Sequence, residues 1–142
     1  MKTYTFFDVK AYLNLNERVD NWLNPHQLLC SYSLSENPLN IYITQRAKKQ
    51  LKQSSEKLYV EMQLLYSCLL KKRTVFHSGT EYSFEPVNDQ INICYRAVLA
   101  QRCDPEEFAR HYPEKQTFDP TSFPQALFLD FKNSAWQGYF EF

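Results

Sequence analysis

The stretch KLYVEMQL, residues 57–64, sets Leu58, Val60, Met62 and Leu64 on alternate positions, with Glu61 and Gln63 among the residues between them. Successive side chains of an extended chain point to opposite faces, so a period of two gathers the apolar residues on one side and the polar ones on the other. The segment therefore predicts a strand of a half-buried sheet, with Glu61 and Gln63 on the face turned away from the core. INICYRAVLA, 91–100, repeats the alternation through Ile91, Ile93, Tyr95 and Ala97, and LNIYIT, 39–44, reads as another strand. LLKKRTVFH continues in extended form after the first strand. SGTE at 78–81 has hairpin-turn chemistry leading into YSFEPV, and ALFLDF and WQGYFEF read as closing strands.

Helical spacing appears in three places. In DVKAYLNLNERVDNWL, the residues Val9, Tyr12, Leu13, Val19, Trp22 and Leu23 fall on one helical stripe, with Asp8 as a candidate N-cap. NPHQ breaks that helix, LLCSYSL is a short apolar run compatible with either element, and SENP at 35–38 is a turn. Thr44 can cap a short helix, QRAKKQLKQ, with Ala47 and Leu51 inward and the lysines outward. Asp104-Pro105-Glu106-Glu107 opens a brief third helix that stops before Pro113, and a Pro-rich loop, EKQTFDPTSFPQ, follows. The expected fold is α+β: a single domain over 1–142, with a mixed, mostly antiparallel sheet and two or three short helices. Residues 1–35 form an N-terminal helical segment and 39–142 the sheet-containing core. At 142 residues the chain can bury one substantial core, and no repeat or low-complexity tract divides it.

Composition narrows function chiefly by exclusion. The chain has only 2 glycines, Gly79 and Gly138, so no phosphate-cradling GxGxxG or GxxxxGK[ST] loop can be written. Lys+Arg and Asp+Glu are both 16, and that zero balance argues against nucleic acid as a partner. No apolar run approaches the roughly 20 residues that span a bilayer. The start, MKTYTFFDVKAYLN, lacks a signal-peptide core, so the expected location is cytoplasmic, with reduced thiols. Aromatic residues make up 16% of the chain, which suits an extensive core or a homo-oligomeric interface.

The candidates for chemistry are few. Zinc sites usually draw two ligands from one turn, as in CxxC or HxxxH, and neither occurs; a distributed set from Cys68, Cys103 and His111 is the metal alternative. Buried cysteines more often act as small hydrophobes. Cys68 precedes Lys71, Lys72 and Arg73, cations able to favour a thiolate, and a thiol enzyme would need His26, His77 or His111 as its base. On a strand, however, those charges need not reach the sulfur. Lys48, Lys49 and Lys52 on the short helix would join Lys71, Lys72 and Arg73 in one basic binding surface if the helix packs over that strand end. Glu56, Glu61 and Glu81 could offset it. Glu106 and Glu107 are adjacent and diverge on a helix, so they suit its positive end rather than paired acid–base work. No GxSxG signature appears.

The order of elements in LNIYITQRAKKQLKQSSEKLYVEMQLLYSCLLKKRTVF is a strand ending in ITxxA, a short helix, then an alternating strand running to one cysteine. Over roughly residues 39–76 this resembles the HesB-like family, the A-type iron–sulfur carriers. The resemblance implies the family's fold and places Cys68 where its first cluster-ligating cysteine stands. The surrounding glycines are replaced by Tyr66, Ser67, Leu69 and Leu70, and the chain ends WQGYFEF where the family carries a C-terminal Cys-Gly-Cys pair. The resulting expectation is a non-catalytic binding domain of degenerate HesB-like type that needs no cofactor and works on a protein partner or as a homo-oligomer. The alternatives are an iron–sulfur or zinc protein using Cys68, and a thiol-dependent enzyme.

Overall fold

The computed structural model describes residues 6–66, 70–78, 83–99 and 122–142. Along them run α1 (Phe6–Leu23), β1 (Gln27–Leu34), β2 (Asn37–Ile43), α2 (Gln45–Gln53), β3 (Leu58–Tyr66), β4 (Leu70–His77), β5 (Glu85–Pro86), β6 (Ile91–Leu99), β7 (Ala126–Lys132) and β8 (Ala135–Glu141). The fold is α+β, and its strands form two four-stranded sheets rather than one, ordered β1-β2-β7-β8 and β4-β3-β6-β5. Both sheets share a plan. A parallel pair lies at the centre, β2 with β7 or β3 with β6, and each member carries an antiparallel partner on its outer side. The second sheet is drawn from the contiguous stretch 58–99, whereas the first joins the two ends of the described chain.

β1 lies inside the segment read as helical. LLCSYSL gave no readable period because a bulge between Leu28 and Cys30 shifts the register and breaks the alternation there. The helical segment therefore ends at Leu23, and the sheet begins at Gln27. The β1–β2 and β7–β8 hairpins close through two-residue turns in which Ser35 (φ 47°), Glu36 (φ 70°), Asn133 (φ 54°) and Ser134 (φ 59°) all adopt left-handed backbone. Two-residue hairpins demand this conformation, and a chain so poor in glycine meets it with residues that carry a Cβ.

Leu39, Ile41 and Ile43 of β2, Val60 and Met62 of β3, Ile91 and Ile93 of β6, Leu127 and Leu129 of β7 and Phe140 of β8 make one buried cluster spanning both sheets. The alternation of 57–64 holds, since Leu58, Val60, Met62 and Leu64 are all buried. Thr44 caps α2 as its sequence predicts: its Oγ1 accepts from Ala47 N at 3.3 Å, and Ala47 and Leu51 reach the core. β8 and β4 meet where the sheets adjoin, and Gly138 sits at that contact. A Cβ on Gly138 would fall 3.0 Å from Phe128 O and 3.1 Å from the Phe76 ring.

α1 follows a different logic. In its second half the stripe residues Val19, Trp22 and Leu23 are exposed, Trp22 by 79%, as is Leu15 beside them, so that part of the predicted apolar stripe is not what secures it. Charges do. Arg46 donates to both oxygens of Asp20 at 3.0 and 2.9 Å and to both oxygens of Asp130 at 2.8 and 2.6 Å, tying α1 to α2 and β7. Lys132 adds a 3.2 Å bond to Asp20. No helix among the described residues is long and apolar enough to cross a membrane. The helix read at Asp104, most of the Pro-rich loop and most of SGTE lie outside the described residues.

Candidate functional site

The second face of β3 is where polar chemistry converges. Glu61 does point away from the apolar core, but it is not the half-exposed residue that the alternation suggested: it is 0% exposed. The register explains this. Glu61 stands between Val75 of β4 and Cys94 of β6, while the neighbouring rows bring Gln63 beside Arg73 and Arg96, and Tyr59 beside His77 and Asn92. Each of these residues sits at the alternate position that shares Glu61's face. Three strands thus enclose one carboxylate with side chains from distant parts of the sequence.

The hydrogen bonds form a continuous line. Arg73 donates through Nε and Nη2 to Gln63 Oε1 at 3.0 and 2.7 Å, and Gln63 Nε2 donates to Glu61 Oε1 at 2.8 Å. His77 Nε2 lies 2.6 Å from Glu61 Oε2, and Arg96 Nη1 lies 3.3 Å from Glu61 Oε1. Burial pushes the Glu61 carboxyl up, but the bonds from Gln63 and His77 and the charge of Arg96 outweigh it and hold the group below the usual carboxylate value. An ionised carboxylate only accepts, so Nε2 is the proton-bearing nitrogen of His77. Phe84 packs edge-on against both Tyr59 and His77.

Cys94 adjoins this centre as an inert thiol. Burial, reinforced by the charge of Glu61, raises its pKa to about 11. Burial likewise raises Cys30. At neutral pH both sulfurs stay protonated, which is the wrong state for a nucleophile. Both oxygens of Glu61 are already bonded, so what the face offers to water is positive. Lys71 and Arg73 are exposed, and the Arg96 side chain is 40% exposed. Toward the other end of the face, in the row of Tyr59 and His77, Asn92 is 8% exposed, and its Nδ2 has no hydrogen-bond partner among the described residues. The arrangement is a cationic, donor-rich rim around a buried and satisfied acid.

Cys68, Cys103 and His111 all lie outside the described residues. Among the described residues no group of three or more His, Cys, Asp or Glu side chains could hold a metal ion. Lys48, Lys49 and Lys52 are exposed on α2. The helix does not pack over the basic end of β4: Leu51 and Ser54 line a small cleft with Phe76, His77 and Ser78, at the opposite end of the strand from Lys71. Within β4 the three cations divide as strand geometry requires. Lys71 and Arg73 join the Glu61 face, while Lys72 turns to the other side, where Nζ donates to Phe140 O at 3.0 Å.

Arg96 and Asn92 were missed as site residues. The available signal was their alternation with Ile91, Ile93 and Tyr95, which places them opposite the core; no local pattern says that β6 runs beside β3. No protein-family model, no curated protein and no solved structure matches the chain.

Proposed function

We propose that the protein is a binding domain, not an enzyme, and that it recognises an acidic partner through the outer face of the β4-β3-β6-β5 sheet. The observation that carries this reading is the convergence of Lys71, Arg73 and Arg96 at the water-facing rim of one sheet face. Clustered cations favour association with a carboxylate- or phosphate-bearing surface, and a rim of this kind contributes more to encounter rate and specificity than to raw affinity. The protonated thiols of Cys30 and Cys94 and the fully engaged Glu61 support the non-catalytic side of the proposal. The partner is a protein chain with clustered Asp or Glu side chains, or a second copy of this chain. A cytoplasmic setting fits the free thiols of Cys30 and Cys94. The strand, capped helix and alternating strand across 39–66 support a degenerate HesB-like origin, with binding in place of cluster chemistry.

The test is titration calorimetry with an oligo-glutamate peptide. The wild-type chain is expected to bind with an affinity that falls as salt rises, and Lys71→Glu/Arg73→Glu to bind about tenfold or more weakly. Equal binding by both proteins, or binding that salt leaves unchanged, would sink the reading. A visible spectrum of anaerobically purified protein addresses the cluster alternative: a stoichiometric chromophore lost in Cys68→Ala would replace the binding-domain reading with a metal one.

A further inference from the structure

A separate cleft lies between the C-terminal half of α1 and the outer face of the first sheet. Its volume is about 420 Å³, and its walls include Glu17 and Asn21 of α1, His26, and Phe128, Gln137 and Tyr139 of the sheet. Phe128 and Tyr139 give it an aromatic floor, and Tyr42, outside the cleft, continues their stack across three neighbouring strands, with centroids 4.9 and 4.6 Å apart and planes within 11° and 10° of parallel. Tyr139 is the outermost of the three and is 50% exposed. His26 stands edge-on to Phe128 and Tyr139, at 5.6 and 6.1 Å.

Two groups around this space, the His26 ring and the Glu17 carboxylate, are acceptors; the side-chain amides of Asn21 and Gln137 beside them both donate and accept. The His26 ring hydrogen-bonds the backbone of Leu129, and its Nε2 is buried with no partner among the described residues. A neutral imidazole that donates from one nitrogen presents a lone pair on the other. The neighbouring ion network is balanced, with Asp20 and Asp130 set against Arg46 and Lys132. Asp130, which also lines the cleft, is consumed by Arg46, Thr44 and the Phe131 N–H. Glu17 is exposed, faces the cleft and makes no ion pair among the described residues. Phe128 is covered on both faces by its neighbours, so the ring surface on offer is the side of Tyr139 away from Phe128; with an imidazole lone pair and the Glu17 carboxylate it calls for a ligand that is positive and rich in N–H donors.

We infer that the cleft between α1 and the first sheet binds a small organic cation, an alkylguanidinium or alkylammonium group, with Glu17 as counter-ion and the Tyr139 ring as its π surface. The site is independent of the acidic-partner face, which lies on the other sheet. The probe is n-butylguanidinium, with n-butanol as the uncharged control of the same chain, followed through the backbone amide resonances of the intact protein. Millimolar n-butylguanidinium is expected to shift the amides of Phe128, Gln137 and Tyr139, while butanol leaves them unmoved. Glu17→Gln, a change at an exposed helix position, is expected to weaken binding about tenfold, and Tyr139→Leu severalfold, as loss of a counter-ion and of a cation–π contact predict. Lys71→Glu/Arg73→Glu should leave it unaltered, which separates this site from the proposed partner surface. Absence of shifts, equal shifts with butanol, or undiminished binding by Glu17→Gln each overturns the assignment.

Discussion

At the scale of single residues, the centre of the second sheet depends on Glu61 keeping its charge. Removing it leaves His77 and Arg96 gathered around a hole and strands the Nε2 donor of Gln63. Glu61→Ala is therefore expected to cost about 3 kcal/mol in urea unfolding, because breaking one side of a buried ion pair leaves its partners uncompensated. Glu61→Gln, which keeps the shape and one acceptor, should cost clearly less; equal losses would mean that packing alone holds the site. The hairpin turns offer the opposite kind of change. Ser134 holds φ 59° with a Cβ that opposes it, and left-handed backbone costs a residue other than glycine about 1 kcal/mol or more. Ser134→Gly should recover part of that as a higher urea midpoint with an unchanged slope, and a lower midpoint would show that the serine makes a compensating contact.

At the scale of elements, what could be read from sequence was what local periodicity encodes. β3 and α2 were legible because their information lies within a few residues: alternation through Leu58, Val60, Met62 and Leu64, and a Thr44 cap before Ala47 and Leu51. β1 was not, because its bulge erases the period. The burial of Glu61 was not either, because it depends on β4 and β6 bracketing β3, a pairing that no local pattern carries. α1 shows both cases. Its helical form was legible, but the tie that holds its second half is the distant trio Asp20, Arg46 and Asp130. Arg46→Ala is accordingly expected to abolish amide-exchange protection in residues 15–23 while sparing β3 and β6. Protection retained there would show that apolar contacts, rather than the guanidinium, dock the helix.

At the scale of the whole molecule, the two sheets are separate ladders over one core, so neither can lose its inner face without opening the other. Leu129 of the first sheet and Val60 of the second belong to the same cluster, and the first sheet forms only when β2 finds β7 across the whole intervening chain. Unfolding should therefore be one transition. Leu129→Ala is expected to lower stability by about 3 kcal/mol through the cavity it leaves. It should shift Trp136 fluorescence on the first sheet and amide exchange in β3 and β6 on the second by the same free energy. Two separable transitions would mean that the sheets fold as distinct units. Acid supplies a second route into the same transition. Hydrogen bonds from Arg46 lead the forces that hold Asp20 at about 2 against an ordinary 3.8, and Asp130 and Glu61 are lowered too, in both cases despite burial. A carboxyl whose folded pKa is depressed contributes stability that is complete above its unfolded value and is lost as pH falls toward its folded one. The urea midpoint should thus vary little with these groups above about pH 5 and fall between about pH 4 and 2. Asp20→Asn should start from a lower midpoint at neutral pH and fall less steeply in that window. A slope unchanged by the substitution would show that Asp20 is not among the groups whose protonation opens the fold.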